Sequence, residues 1–166
     1  HCRKPVIALV NGPAVGAGAM LALICDFVLA SEKAYFSQAF SGIGLIPDTG
    51  GTYFLPKLLG RQLATYLAFT GKKLSAEESK SYGLVAEVFN EEEFLPQSME
   101  ILEKLSNMPT AAFKLTKKAF AHSYDNTLSQ QLELEADLQQ EASETEDFLE
   151  GVNAFLQKRK PNYKGR

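Results

Sequence analysis

The chain has 166 residues, 45% of them hydrophobic and 22% charged, with a net charge of −3. That length and composition suit a soluble globular chain able to bury a core, and they exclude a disordered one. The acidic balance gives no reason to expect nucleic acid, the two cysteines (Cys2 and Cys25) give no disulfide framework and fit a reducing cytoplasm, and two histidines, His1 and His122, give a metal site little support.

Pro5–Val10 (PVIALV) is a continuous apolar run of strand length, as in a strand buried on both faces. Twenty residues from Val6 to Cys25 carry no charge and follow Arg3 and Lys4, a pattern shared by membrane spans and signal peptides. The turn signal Asn11-Gly12-Pro13 interrupts it, and glycines follow at 16 and 18. Strand, turn and a short buried helix over Ala17–Cys25 therefore explain it better than a span. Asp26–Ala30 reads as the next strand and Ala34–Ser37 as a further short one. Thr49–Leu59 predicts a helix opening on Gly50-Gly51, with Pro56 tolerable only near a boundary or kink. Arg61–Phe69 is helical and ends at Thr70-Gly71. Ser75-Ala76-Glu77-Glu78 is a capping box, its helix stops at Gly83, and Leu84–Phe89 returns as a strand.

From Glu91 the pattern is helical throughout, in segments near 91–106, 109–122, 127–142 and 145–159. The composition shift near Asn90 divides an α/β part, residues 1–90, from an all-α part, residues 91–166. Leu128, Leu132, Ala136 and Leu138 recur at roughly helical spacing and are expected to be core and subunit contact. Residues 91–150 hold 14 of the 20 acids against four Lys or Arg, whereas 151–166 hold five bases and no acid. Solvated helix faces with a mobile tail explain this, and so does a basic tail that meets an anionic ligand such as a phosphate.

Two glycine-rich turns are candidates to carry chemistry. Asn11–Met20 (NGPAVGAGAM) lies between a strand and a helix, where phosphate and dinucleotide loops usually sit. Its spacing fits neither: Gly16-x-Gly18 is followed by Leu21 where a third small residue belongs, and no Gly-Lys-Ser/Thr occurs. What remains is a helix start whose amides can bind a developing oxyanion, or plain close packing of helix on strand. The second turn, Gly44–Gly51 (GLIPDTGG), holds Asp48, the single acid between Glu32 and Glu77. Ahead of Thr-Gly-Gly, Asp48 reads either as an N-cap accepting from the Gly50 or Gly51 amide or as a general base in a mostly apolar site.

Taken in order, Lys4-Pro5-Val6-Ile7-Ala8 through Asn11-Gly12, Gly16-Ala17-Gly18, Cys25-Asp26, Ile46–Thr52 (IPDTGGT), Thr70-Gly71, Gly83-Leu84-Val85 and Gly151–Arg159 (GVNAFLQKR) resemble the crotonase (enoyl-CoA hydratase/isomerase) superfamily over nearly the whole chain. Phe40-Ser41-x-x-Gly44–Asp48 and Thr127-Leu128-x-x-Gln131-Leu132-x-Leu134-Glu135 look closest to its phenylacetate-pathway isomerases. The resemblance implies a spiral of ββα turns, then an all-α segment that builds homotrimers or dimers of trimers. It implies an acyl-CoA thioester substrate, coenzyme A entering as part of that substrate and no separate cofactor. By position, it implies the Ala17 amide as one of two donors to the thioester oxygen and Asp48 as the proton shuttle. Phe155 and Lys158 are implied as contacts to the CoA moiety, across a subunit contact.

Hydratases of the superfamily carry two glutamates that hold and activate water, and the corresponding positions here are Met20 and Phe40. Neither binds a proton, so the resemblance implies an isomerase that moves one proton. A hydratase or lyase using Asp48 alone, and a non-catalytic acyl-CoA-binding module, are the alternatives. The chain also begins at a strand that the family reaches only after several others. The resemblance therefore implies the C-terminal portion of a longer fold, with the second oxyanion amide and much of the CoA adenine site on turns ahead of His1.

Overall fold

The computed structural model describes residues 2–166. Contacts divide it into two compact units, Val6–Glu100 and Ile101–Arg166, the second including the N-terminal residues up to Pro5.

The α/β unit is built from repeated ββα turns. Strands Ile7–Val10 (β1) and Pro13–Val15 (β2) lead into helix Ala17–Leu23 (α1). Strands Phe27–Ser31 (β3) and Tyr35–Ser37 (β4), a 3-10 turn at Ala39–Ile43 and helix Gly51–Thr70 (α2) form the next turn. Strand Leu74–Ser75 (β5), helix Ala76–Ser81 (α3) and strand Glu87–Phe89 (β6) follow. Each turn contributes one strand to each of two sheets. In the first, β1, β3 and β6 are parallel, with Ile7 opposite Phe27 and Leu29 opposite Glu87. In the second, β2 pairs parallel with β4, and β5 pairs antiparallel with β4.

Parallel strands are covered on both faces, which is why Val28, Leu29 and Ala30 are buried in succession. Asp26 fixes the register at the start of this sheet: its Oδ2 accepts from the Val6 amide at 2.7 Å, and its own amide donates to the Val6 carbonyl at 2.8 Å. Helix α1 buries Ala19, Met20, Ala22 and Leu23 beneath the strands, and Leu55, Ala64 and Leu67 of α2 join the same core. The capping box at Ser75 forms as expected, with Ser75 Oγ accepting from the Glu78 amide and Glu78 Oε2 from the Ser75 amide.

Two elements differ from the sequence reading. Pro13–Val15 is a strand rather than part of the turn, because a proline is tolerated at the first position of a strand, where no ladder amide is needed. Helix α2 also runs through Pro56. Only the Thr52 carbonyl loses a partner there, and Thr52 is exposed. The helical path breaks instead at Gly60, with φ 72° and ψ 156°.

Helix Glu91–Ser106 (α4) spans the division between the units. Beyond it, Thr110–His122 (α5) packs on Leu128–Ser143 (α6), and α6 on Glu146–Leu156 (α7). The core part of the apolar stripe expected on α6 is corrected. Leu138 is buried, but Leu128 and Leu132 are 76% and 55% exposed, and Ala136 is exposed too. The packed face is Gln131, Leu134 and Leu138, which keep strict three- and four-residue spacing, and Gln131 Nε2 donates to the Ala119 carbonyl of α5. Among the described residues no helix is long and apolar enough to cross a membrane.

Candidate active site

Helix α1 starts at Gly16, whose φ of 56° lies in the left-handed region that a side chain disfavours. Its amide donates to the Ser37 carbonyl at 2.8 Å, tying the helix start to β4. A Cβ at this position would meet the Phe40 ring at 3.5 Å. No side chain caps the helix, and the Met20 amide bonds the Gly16 carbonyl at 3.2 Å. The Ala17 and Gly18 amides ahead of it have no intrahelical acceptor and carry the partial positive charge of a helix start.

Asp48 sits on the loop that leads from the 3-10 turn into α2, and it is exposed. It is not the N-cap. Gly50 holds that place, with φ 79° and no side-chain bond. The left-handed pair Thr49 (φ 51°) and Gly50 separates the Asp48 carboxylate from the helix amides, and the Gly51 amide bonds the Asp48 carbonyl instead, at 2.7 Å. Asp48 Oδ1 accepts from the Thr49 hydroxyl at 2.9 Å. Oδ2 has no hydrogen-bond partner among the described residues, so one oxygen is oriented and the other is open.

Thr49 is the costly residue of this loop. A β-branched side chain at positive φ is an outlier, costing about 1–2 kcal/mol. Thr49→Gly is therefore expected to raise stability by roughly 1 kcal/mol in chemical denaturation. A variant less stable than the parent would show that the strain at Thr49 is smaller than the hydrogen bond and chain entropy that glycine gives up.

The helix start and the Asp48 loop are joined through two apolar contacts. Phe40 packs on Gly16. At Gly51, a Cβ would lie 2.9 Å from Pro47 Cβ and 3.5 Å from Met20 Cγ, so glycine lets the loop settle against α1. Met20 is fully buried and Phe40 is buried, so both positions form wall and present no titrating group. Gln38, which the sequence did not single out, belongs to this wall. It is buried, its Nε2 donates to the Met20 thioether at 3.5 Å, and its Oε1 has no partner. The one sequence signal for it was a lone amide inside the apolar run Tyr35–Phe40. Ile43, Leu45 and Ile46 flank Asp48 and are 75%, 58% and 75% exposed, an apolar border to its carboxylate.

Phe155 and Lys158 lie in the helical unit. Phe155 is 83% exposed on α7, beside a groove of ≈ 470 Å³ that it lines with Phe148, Val152 and Leu156. Lys158 follows the C-cap, Gln157, with φ 53°. Its amide bonds the Phe155 carbonyl at 3.2 Å, and the Arg159 amide bonds Ala154 at 3.0 Å. This is a Schellman ending with lysine where glycine is usual. Lys158 makes no ion pair among the described residues.

The segment after Lys158 is not a free tail. Arg159 grips Glu150 in a fork, Nη1 to Oε1 at 2.6 Å and Nη2 to Oε2 at 2.8 Å, and the Asn162 amide adds a bond to Oε1 at 2.7 Å. The Arg159 bond, then the Asn162 amide, holds the Glu150 carboxyl down from its ordinary value near 4.5 to about 2. A depressed carboxyl stabilises the closed arrangement above its unfolded pKa, and that contribution is lost as pH falls through the folded one. Acidification from pH 5 to 2 is therefore expected to release residues 159–166, seen as a falling protection factor of the Asn162 amide, its exchange rate taken relative to the intrinsic rate at each pH. A protection factor that stays constant across this window would contradict the assignment.

A family model described as enoyl-CoA hydratase/isomerase matches residues 1–166. The 1,2-epoxyphenylacetyl-CoA isomerase of Escherichia coli (strain K12) is 45% identical over 163 residues, 98% of this chain and 62% of that protein. The 2,3-dehydroadipyl-CoA hydratase of the same organism is 38% identical over 99% of this chain and 64% of its own length. Among solved structures, an enoyl-CoA hydratase from Bacillus anthracis superposes with a TM-score of 0.94 at 38% identity, covering 99% of this chain and 64% of that one. The chain thus spans slightly under two thirds of the length of these relatives. The family match over residues 1–166 and the ββα turns together place the chain in the enoyl-CoA hydratase/isomerase, or crotonase, family.

Proposed function

We propose that the chain carries the proton-transfer site of an acyl-CoA isomerase that works without an activated water. The observation behind this reading is Asp48, one acid with a single oriented oxygen, in a wall where Met20 and Phe40 are buried and apolar. The Ala17 amide donates to the thioester oxygen and acidifies the adjacent C–H bonds. Asp48 removes a proton from one carbon, the enolate is held at the helix start, and protonated Asp48 returns the proton elsewhere on the conjugated system. The double bond moves, and no atom is gained or lost.

The substrate class is either a 3-enoyl-CoA that becomes a 2-enoyl-CoA or, by likeness to the E. coli isomerase, 1,2-epoxyphenylacetyl-CoA. Phenylacetate or fatty-acid breakdown in the cytoplasm is the proposed setting. Phe155 and Lys158 meet the CoA moiety, and the exposed Phe148, Leu149, Val152 and Leu156 of α7 support assembly as a homotrimer or a dimer of trimers. Hydration is the second reading, supported by the hydratase names of relatives such as one from Rhodobacter capsulatus at 46% identity. In the full-length protein, isomerisation of 3-enoyl-CoA, followed by the absorbance of the conjugated thioester, is expected. Hydration of 2-enoyl-CoA with no isomerisation would replace the first reading by the second.

A further inference from the structure

We propose that residues 159–166 act as a strap that positions Lys158, with Asp147 and Glu150 as its anchors. The inference rests on the reading that Lys158 meets the CoA moiety.

The strap is fastened to a single face of α7. Asp147, Glu150, Gly151 and Ala154 recur at three- and four-residue spacing and so share that face. Asp147 is buried, and its two carboxylate oxygens accept from the Lys164 and Gly165 amides at 2.6 and 2.8 Å. Its own amide donates to the Arg166 carbonyl at 3.1 Å. Glu150 takes the Arg159 fork and the Asn162 amide. Between these anchors the Tyr163 hydroxyl lies so close to Gly151 that a Cβ there would meet it at 3.2 Å. Residues 159–166 are thus tied to α7 along their length.

Lys158 sits at the joint between helix and strap, in the left-handed conformation. A lysine stays there only where the flanking structure over-determines it. The Schellman bonds fix the helix side, and the Glu150–Arg159 fork fixes the other. Arg159 is bound to Glu150 and Arg166 to Glu146, while Lys158, like Lys160 and Lys164, has no ion pair among the described residues, and of these three lysines Lys158 alone stands at the fixed joint. The strap thus holds an ammonium group ready for an outside anion, and it lowers the ordering cost of binding one.

The test measures the Kd for free coenzyme A, with KM and kcat for the acyl-CoA, in the full-length protein and in Glu150→Gln, Lys158→Ala and the double variant. If release of the strap leaves about a tenth of molecules competent, Glu150→Gln weakens CoA binding about tenfold. That loss falls on Kd and KM rather than kcat. Because Glu150 acts through Lys158, the double variant is expected to bind no more weakly than Lys158→Ala. Glu150→Gln with unchanged affinity, or losses that add in the double variant, would overturn the positioning role while leaving the CoA reading in place. Lys158→Ala with unchanged affinity would overturn the CoA reading itself. Asp147→Asn provides a second anchor variant, and loss of Asn162 amide protection in it checks that the strap has opened.

Discussion

Asp48→Asn is expected to lower isomerase turnover by roughly 10²–10⁴-fold, the usual contribution of a positioned acid–base group, and to leave stability close to the parent's. Asparagine keeps the oxygen that accepts from Thr49, so the loop retains its shape and the loss is chemical. Asp48 is exposed, and no buried network collapses when its charge is removed. KM should change little, since Asp48 acts on the reacting carbons and not on the CoA handle. Retention of most of the activity by Asp48→Asn, measured by steady-state kinetics beside a denaturation curve, would remove Asp48 from the mechanism.

The second large effect is expected from Ala17→Pro. Ala17 is the first residue of α1, the position where proline is best tolerated because its amide has no intrahelical partner. The substitution therefore deletes the N–H proposed to bind the thioester oxygen and little else. Removing one such donor is expected to cost about 10²–10³-fold in kcat. Ala17→Ser, which keeps the amide, is the control and should stay within a few fold of the parent. Equal losses in the two variants would mean that packing at Ala17 matters and its amide does not. Circular dichroism of Ala17→Pro separates a lost donor from a lost helix.

Local signals were the legible part of the sequence. The capping box at Ser75 set a helix start where the residues said it would, and the apolar run Phe27–Ala30 became a strand buried from Val28 onward. Such features are decided within a few residues, so no partner is needed to read them. Features set by tertiary contact were not legible. Asp48 ahead of Thr-Gly-Gly has the composition of an N-cap, and only the left-handed pair at Thr49 and Gly50 moves that role to Gly50. Strand β2 is defined by its pairing with β4, which no periodicity within three residues reveals. Gln38 gains its place from Met20, 18 residues earlier in the chain. The basic C-terminus read as a mobile tail because its fastening depends on two acids of α7 together with backbone amides, and amides leave no trace in composition. Ala17, Phe155 and Lys158 came from motif resemblance, whereas Asp48 was already a candidate as the single acid of its glycine-rich turn. The structure adds why Asp48 has one oxygen held and one open.

The central claim is that Asp48 returns a proton while water stays out of the chemistry. Turnover of a 3-enoyl-CoA by the full-length protein in ¹⁸O-labelled water, followed by mass spectrometry of the thioester product, tests it most directly. A shifted double bond with no ¹⁸O in the product is the expected result. No turnover of the 3-enoyl-CoA, with a 3-hydroxyacyl-CoA carrying ¹⁸O formed from the 2-enoyl-CoA, would contradict it and make the site that of a hydratase.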